Sequence, residues 1–144
     1  MIYSKINAHL AVAKAYAKLS KAKRLQVGCV LIKNDRPISV GYNGTPTGSS
    51  NICEEEFEGK LITLQEVIHA EANALMFAAK NGMSTKNCVA VLTHSPCYEC
   101  SKLFIQAGIK KIYYEKSYRI TGSIDFLIKN NVAVIKIGDA NGDN

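Results

Sequence analysis

The hydrophobic positions of the chain follow first a helical and then an extended period. Residues 3–19 predict an amphipathic helix, with apolar side chains at Ile6, Leu10, Ala13 and Ala17 and at Val12, Tyr16 and Leu19. Residues 27–33 and 37–42 then predict two strands around the turn Asn34-Asp35-Arg36. Residues 41–63 contain four glycines and predict a long loop, and a loop of that length is usually functional or disordered.

The second half of the chain alternates between helical and extended segments. Helices are predicted at residues 71–81, 97–108 and 120–130, and strands at 88–92, 111–115 and 132–137. Gly82 and Gly108 mark the ends of the first two of these helices. The alternation predicts one layered α/β domain over residues 1–144, with the later strands paired in parallel across the helices. The tail, residues 139–144, is expected to be mobile.

Composition favours a globular protein of the cytoplasm. The chain has 144 residues, 47% of them hydrophobic, and no tryptophan. It contains no apolar run of membrane-spanning length, and its first residues lack the apolar core of a signal peptide. Five cysteines, an odd number, favour a reducing compartment over a disulfide framework.

The charge balance points toward nucleotides more than toward nucleic acids. The net charge is +6, but the 18 basic residues are scattered and no run exceeds two. Nucleic-acid binding is therefore not expected, because it calls for a clustered basic face with aromatic residues between the charges. A moderate basic excess suits an enzyme that binds nucleotide phosphates.

Two short motifs carry the chemistry: His69-Ala-Glu71 and Pro96-Cys97-Tyr-Glu-Cys100. His69, Cys97 and Cys100 supply three zinc ligands, which is the count of a catalytic site that keeps a fourth position for water. Glu71 remains as an unligated carboxylate that can carry protons. The pair of motifs is typical of hydrolytic zinc deaminases.

The spacing of the motifs restricts how they can fold. In a helix interior, His69 and Glu71 would point to different sides, so they share a site only if His69 stands at the start of a helix. Ser95 is a favourable N-cap and Pro96 a favourable first residue for the second helix. Cys97 and Cys100 would then lie on one face of its first turn. Two helix N-termini are thus predicted to meet at one metal, where their partial positive charge favours thiolates.

A structural zinc site and a redox site also remain open for these motifs. A structural zinc with three cysteines and one histidine would need Cys29, Cys53 or Cys88 as the additional ligand. A thioredoxin-like redox pair at Cys97 and Cys100 would leave His69 and Glu71 without a role. His94 could replace a missing ligand, but its position favours the rim of the site. The combination of motifs favours catalytic zinc.

Nearly the whole chain resembles the cytidine and deoxycytidylate deaminase superfamily. Besides the two zinc motifs, the resemblance involves Arg24-Leu-Gln-Val-Gly28-Cys-Val and Ile112-Tyr-Tyr-Glu-Lys-Ser-Tyr118-Arg119. The segment Gly41-Tyr-Asn43-Gly44-Thr-Pro46-x-Gly48 is similar to the deoxycytidylate (dCMP) deaminase branch in particular. Members with a longer segment before the histidine motif can hold a second, structural zinc. That segment is short here, so a second zinc is not predicted.

The resemblance implies a fold, a reaction and a mode of regulation. It implies a three-layer α/β/α fold around a five-stranded mixed sheet, and zinc-dependent hydrolysis of dCMP to dUMP and ammonia for thymidylate synthesis. It also implies activation by dCTP with Mg²⁺, inhibition by dTTP, and a homo-oligomer, with a hexamer favoured. Gly41, Tyr42 and Gly44 are the residues expected to bind the effector.

Eight residues are predicted to bind the substrate. Asn43 is assigned to the sugar, the backbone of Ala70 to the base carbonyl, and Val27 and Gly28 to the walls around the base. Ser95 is placed in the same site. Arg24, Tyr118 and Arg119 are assigned to the 5′-phosphate or to a closing gate.

Two different functions remain open on the sequence alone. A deaminase of the same fold could act on tRNA adenosine, cytosine or cytidine. A protein that had lost catalysis could bind nucleotides as a regulator. Glu71 argues against the second alternative, because a binding protein needs no free carboxylate beside zinc.

Overall fold

The computed structural model describes residues 1–118 and 122–138 as four helices and seven strands. In chain order these elements are α1 (Tyr3–Ala17), β1 (Gly28–Lys33), β2 (Arg36–Tyr42), β3 (Glu54–Phe57), β4 (Lys60–Thr63), α2 (Ala70–Lys80), β5 (Val89–His94), α3 (Tyr98–Ala107), β6 (Lys111–Lys116), α4 (Ser123–Lys129) and β7 (Ala133–Lys136). Arg119, Ile120 and the tail at 139–144 lie outside the described residues, and so does the predicted start of the last helix.

The main sheet has five strands in the order β2-β1-β5-β6-β7. Strand β1 pairs antiparallel with β2 and with β5, whereas β5, β6 and β7 are parallel. The predicted parallel pairing across the later helices and the mixed five-stranded sheet are thus confirmed. Pro37 lies in β2, an edge strand, where a missing backbone donor is tolerated.

The sheet is covered on both faces, which confirms the three-layer architecture. Alternate residues of β1 face opposite sides: Leu31 belongs to the apolar cluster that contains residues of α2, and Val30 to the cluster that contains residues of α1. Phe104 of α3 and Leu127 of α4 are fully buried in the first cluster. Among the described helices, α2, α3 and α4 therefore share one face, and α1 covers the other.

Two predictions about the first half of the chain need correction. Helix α1 ends at Ala17, short of the predicted Leu19. Of the second predicted apolar row, Val12 packs partly buried against the core, whereas Tyr16 and Leu19 are 42% and 52% exposed. The predicted loop at 41–63 contains the hairpin β3–β4, which pairs antiparallel. The sequence pattern does not indicate its strands, because β3 reads Glu-Glu-Glu-Phe and has no apolar alternation. The turn carries a clearer signal, since Glu58 and Gly59 both have positive φ, as a two-residue hairpin turn requires.

Gly41 sets the distance between the sheet and α2. A Cβ at this position would lie 2.3 Å from the backbone oxygen of Ala70 and 2.5 Å from the backbone nitrogen of Ala74. Only a residue without a side chain lets the first turns of α2 approach β2 this closely. Gly28 plays the same part for α1, because its Cβ would lie 1.9 Å from the backbone oxygen of Ala13.

Among the helices of residues 1–118 and 122–138, none has the length and hydrophobicity of a membrane span.

Gly41→Ala is predicted to destabilise the protein by forcing α2 away from the sheet. Overpacking of this kind typically costs about 1–3 kcal/mol in the free energy of unfolding. The measurement is urea unfolding of the zinc-loaded protein. Gly44→Ala is the matched control, because a Cβ at Gly44 has nothing within 4 Å. Equal stability of the two variants would contradict the close approach of α2 to β2.

Candidate metal centre and adjoining cavity

Three predicted ligands converge at one point. The Nδ1 atom of His69 lies 3.5 Å from the Sγ atom of Cys97 and 3.4 Å from the Sγ atom of Cys100. All three ligand atoms lie within 4.8 Å of one another. A tetrahedral zinc with ordinary Zn–S and Zn–N bonds separates sulfur and nitrogen ligands by about 3.6 Å. One imidazole and two thiolates in this arrangement therefore fit a zinc ion.

The composition of this group argues against a structural zinc with three cysteines. Among the described residues, His69, Cys97 and Cys100 form the group of metal-ligating side chains, and Cys29, Cys53 and Cys88 are not part of it. Three protein ligands leave a coordination position for water, which is the arrangement of a catalytic rather than a structural zinc.

The start of α2 brings His69 and Glu71 to the same side. His69 is the N-cap residue, with an extended backbone at φ −68° and ψ 153°, and Glu71 lies in the first turn. Because His69 is extended and not helical, the rotation that would place residues i and i+2 of a helix on different sides does not apply to His69 and Glu71. The helix begins where the sequence requires it to begin.

The start of α3 differs from the prediction. Ser95 is not the N-cap; that position belongs to Cys97, whose Sγ accepts a hydrogen bond from the backbone N–H of Cys100 at 3.4 Å. Ser95 continues the strand instead: its N–H donates to the carbonyl of Lys116, and its Oγ accepts from the N–H of Tyr118. This pairing with the last residue of β6 and with Tyr118 beyond it holds Ser95 and Pro96 outside the helix, so the sulfur replaces the hydroxyl as the cap.

The thiols of Cys97 and Cys100 have pKa values shifted in opposite directions. A hydrogen bond from the Cys100 thiol, together with those from His69 and the Cys100 backbone, lowers the pKa of Cys97 to about 4. The same hydrogen bond and burial raise the pKa of Cys100 well above its usual value. Zinc takes cysteine as the thiolate, so metal binding would leave both sulfurs deprotonated.

Glu71 is buried but lines the cavity. Its side chain is 5% exposed, and burial raises the pKa of the carboxyl to about 7, against an opposing hydrogen bond from its own backbone. A carboxyl with a pKa near neutrality can both accept and donate a proton under working conditions.

The cavity next to the metal centre is lined by most of the residues predicted to bind substrate. Its walls include Arg24, Val27, Asn43, Ala70, Glu71, Ser95 and Tyr118, together with His69 and Cys97. Gly28 is not among its lining residues; it is buried against α1, and its N–H donates to the Oγ1 of Thr93. Arg119 lies outside the described residues.

Asn43 organises the wall of the cavity. Its Oδ1 accepts from the N–H of Val27 at 2.9 Å, and its Nδ2 donates to the carbonyl of Leu25 at 2.8 Å. The amide therefore holds the segment that leads into β1. One lone pair of its oxygen and one hydrogen of its nitrogen are not used by these two bonds.

The three residues predicted to bind an effector lie elsewhere. Gly41, Tyr42 and Gly44 line a separate pocket of about 410 Å³ that also includes Asn73, Met76 and Lys80 of α2. The Nδ2 of Asn73 donates to the carbonyl of Tyr42 and fixes the end of β2 against this helix.

Several residues of the cavity were not predicted. Glu54 and Thr63 come from the hairpin, which the sequence pattern does not indicate. Glu54 is one of three consecutive glutamates, and nothing in their pattern distinguishes it. His94, expected at the rim, does line the cavity; its Nδ1 lies 2.8 Å from the Oγ1 of Thr93, and its ring meets Tyr118 edge to face.

Comparison with known proteins supports this interpretation. The family described as "Cytidine and deoxycytidylate deaminase zinc-binding region" matches residues 3–116. The dCMP deaminase of cyanophage S-TIM5, solved in complex with dCMP and dUMP, is 40% identical, with a TM-score of 0.88 over 95% of this chain and 99% of that one.

Two curated relatives extend the comparison. The deoxycytidylate deaminase of enterobacteria phage T4 is 33% identical over 147 aligned residues, which cover 76% of each chain. ComE operon protein 2 of Bacillus subtilis (strain 168) is 36% identical over 113 residues; the match covers 76% of this chain but 58% of that protein. The chain therefore belongs to the family of cytidine and deoxycytidylate deaminases that share this zinc-binding region.

Proposed function

We propose that the protein catalyses the zinc-dependent hydrolytic deamination of dCMP to dUMP and ammonia, a step toward thymidylate. One observation carries the proposal: the buried carboxyl of Glu71 faces the cavity that contains His69 and Cys97 but does not belong to the ligand group. The relatives named as dCMP deaminases support the choice of base and nucleotide.

His69, Cys97 and Cys100 are the residues that would hold the zinc. When bound, zinc supplies the Lewis acidity that lets water lose a proton near neutral pH. The partial positive charge of two helix N-termini adds to the stabilisation of negative charge at this point.

Glu71 carries the protons of the reaction. It takes one proton from the attacking water and gives it to N3 of the cytosine ring. It then takes the second proton of that water from the hydroxyl at C4 and gives it to the amine that leaves. Burial raises the pKa of its carboxyl, which makes the carboxylate a stronger base toward the water.

The remaining walls of the cavity orient the substrate. Val27 packs against the base, and the N–H of Ala70, in the first turn of α2, has no carbonyl within its own helix and is available to the base carbonyl. Asn43 contacts the sugar with the donor and acceptor capacity that its structural bonds leave. Ser95 lines the same wall, and Arg24, Tyr118 and Arg119 bind the 5′-phosphate or close over it.

Regulation and assembly form a further part of the proposal. The pocket at Gly41, Tyr42 and Gly44 receives a nucleotide effector: dCTP with Mg²⁺ activates and dTTP inhibits. The lysine at its edge, Lys80, suits phosphates. The effector acts in a homo-oligomer, with a hexamer favoured.

The five free thiols, two of them metal ligands, suit the reducing cytoplasm.

Glu71→Gln is predicted to abolish nearly all turnover of dCMP while the metal stays bound. The substitution keeps the size of the side chain and removes the proton carrier, so kcat should fall by about 10²–10⁴-fold or more. Turnover is followed by ultraviolet absorbance, and zinc by elemental analysis. The comparison variant, Cys97→Ala, should lose zinc as well as activity. Near-normal kcat in Glu71→Gln would exclude this residue as the proton carrier, and full zinc occupancy in Cys97→Ala would exclude that cysteine as a ligand.

The 5′-phosphate is predicted to determine the substrate. Deoxycytidine should have a kcat/KM at least about tenfold below that of dCMP, because its charge-assisted contacts are missing. Arg24→Ala should reduce this preference. The assay includes dCTP, cytidine, cytosine and a tRNA anticodon stem, so that a preference for another base would also be detected. Equal kcat/KM values for deoxycytidine and dCMP would contradict a phosphate site.

Sigmoidal dependence of the rate on dCMP is predicted, and dCTP with Mg²⁺ should make it hyperbolic. Substrate and effector would each bind one state of the assembly more tightly than the other state. Allostery requires this difference in affinity between the two states. Rate curves with and without dCTP, together with the molar mass in solution, test this. Superimposable curves would remove the regulatory part and leave the catalytic part intact.

A further inference from the structure

One wall of the cavity has no regular secondary structure. Residues 21–27 are the last part of the connection from α1 to β1, and within them Ala22, Arg24, Leu25 and Val27 line the cavity. Side chains from outside hold this segment in place. Asn43 binds the backbone at Leu25 and Val27, and the Oγ of Ser20 accepts from the N–H of Ala22.

Glu54 holds the middle of the same wall. Its Oε2 accepts from the N–H of Lys23 at 2.8 Å and from the N–H of Arg24 at 3.0 Å. The side chain is 9% exposed and lines the cavity. Within residues 1–118 and 122–138, no basic side chain forms an ion pair with Glu54. In the described part of the chain, the negative charge of the Glu54 carboxylate is therefore stabilised by hydrogen bonds from two successive backbone N–H groups.

The second strand of the hairpin holds the side chain of the same arginine. The Nη1 of Arg24 donates to the Oγ1 of Thr63 at 2.9 Å. Glu54 and Thr63 are opposite each other in the register of β3 and β4. One pair of facing residues thus fixes both the backbone and the guanidinium of an otherwise exposed arginine.

We propose that Glu54 is a positioning residue for phosphate recognition: it holds the backbone of Lys23 and Arg24 so that the guanidinium of Arg24 reaches the 5′-phosphate of the substrate. This inference depends on the proposed function, and in particular on Arg24 as a phosphate ligand. A free arginine loses much conformational entropy on binding, whereas an arginine held at two points loses less. The carboxylate acts through Arg24 and does not touch the substrate.

The test compares dCMP with deoxycytidine, which lacks the phosphate. Glu54→Ala should lower kcat/KM for dCMP by about tenfold or more and leave that for deoxycytidine within about twofold, with kcat for dCMP nearly unchanged. Glu54→Gln should restore much of the loss, because an amide oxygen can accept the same two hydrogen bonds. Glu56→Ala is the matched control; it removes the same charge from the same face of β3 at an exposed position.

A double-mutant cycle separates positioning from direct contact. In an Arg24→Ala background, Glu54→Ala should cause no further loss with dCMP. Additive losses would overturn the proposal, because Glu54 would then act independently of Arg24. Equal losses for dCMP and deoxycytidine would also overturn it and would indicate a general structural role.

Two further measurements distinguish a failure of this inference from a variant that does not fold and from a failure of the proposed function. If Glu54→Ala does not fold, Thr63→Val still removes the second anchor, and it should lower kcat/KM for dCMP alone by a few-fold. Unchanged selectivity in Thr63→Val would then overturn the inference. If Arg24→Ala itself leaves the preference for dCMP intact, Arg24 is not the phosphate ligand and the inference fails, whereas the proposed deamination of dCMP does not depend on that result.

Discussion

The convergence of two helix N-termini on one point is the constraint on which the rest of the structure depends. Helix α2 presents His69 and Glu71, and α3 presents Cys97 and Cys100, and the ligands meet only if both helices pack on the same face of the sheet at a fixed depth. Gly41 sets this depth for α2, because any side chain there would collide with the helix backbone. The parallel strands β5 and β6 direct α3 and the chain beyond β6 toward the same point.

Much of this arrangement could be predicted from the sequence because it rests on local rules. A histidine and a glutamate two residues apart can share a site only at a helix start, and Gly82 and Gly108 mark helix ends through their positive φ. Alternating strands and helices indicated the parallel part of the sheet. These features depend on residues near one another in the chain, so that pattern and spacing are sufficient.

The rest depends on contacts between distant segments, which local patterns do not show. Ser95 was predicted to cap α3, but its bonds to Lys116 and Tyr118 keep it outside the helix, and the sulfur of Cys97 takes its place. Glu54 lies about thirty residues from the backbone groups it binds, in a strand without apolar alternation. Its position relative to Arg24 exists only in the folded chain.

The cavity combines two kinds of wall that can change independently. The metal ligands and Glu71 stand at helix termini fixed by the apolar core, whereas another wall consists of an irregular segment held by polar side chains from an exposed hairpin. Surface hairpins accept insertions and substitutions far more readily than core helices do. Substitutions in residues 45–63 can therefore change which sugar or phosphate part of a substrate is accepted, while the residues that carry the deamination chemistry stay the same. Divergence in specificity does not require a new catalytic centre.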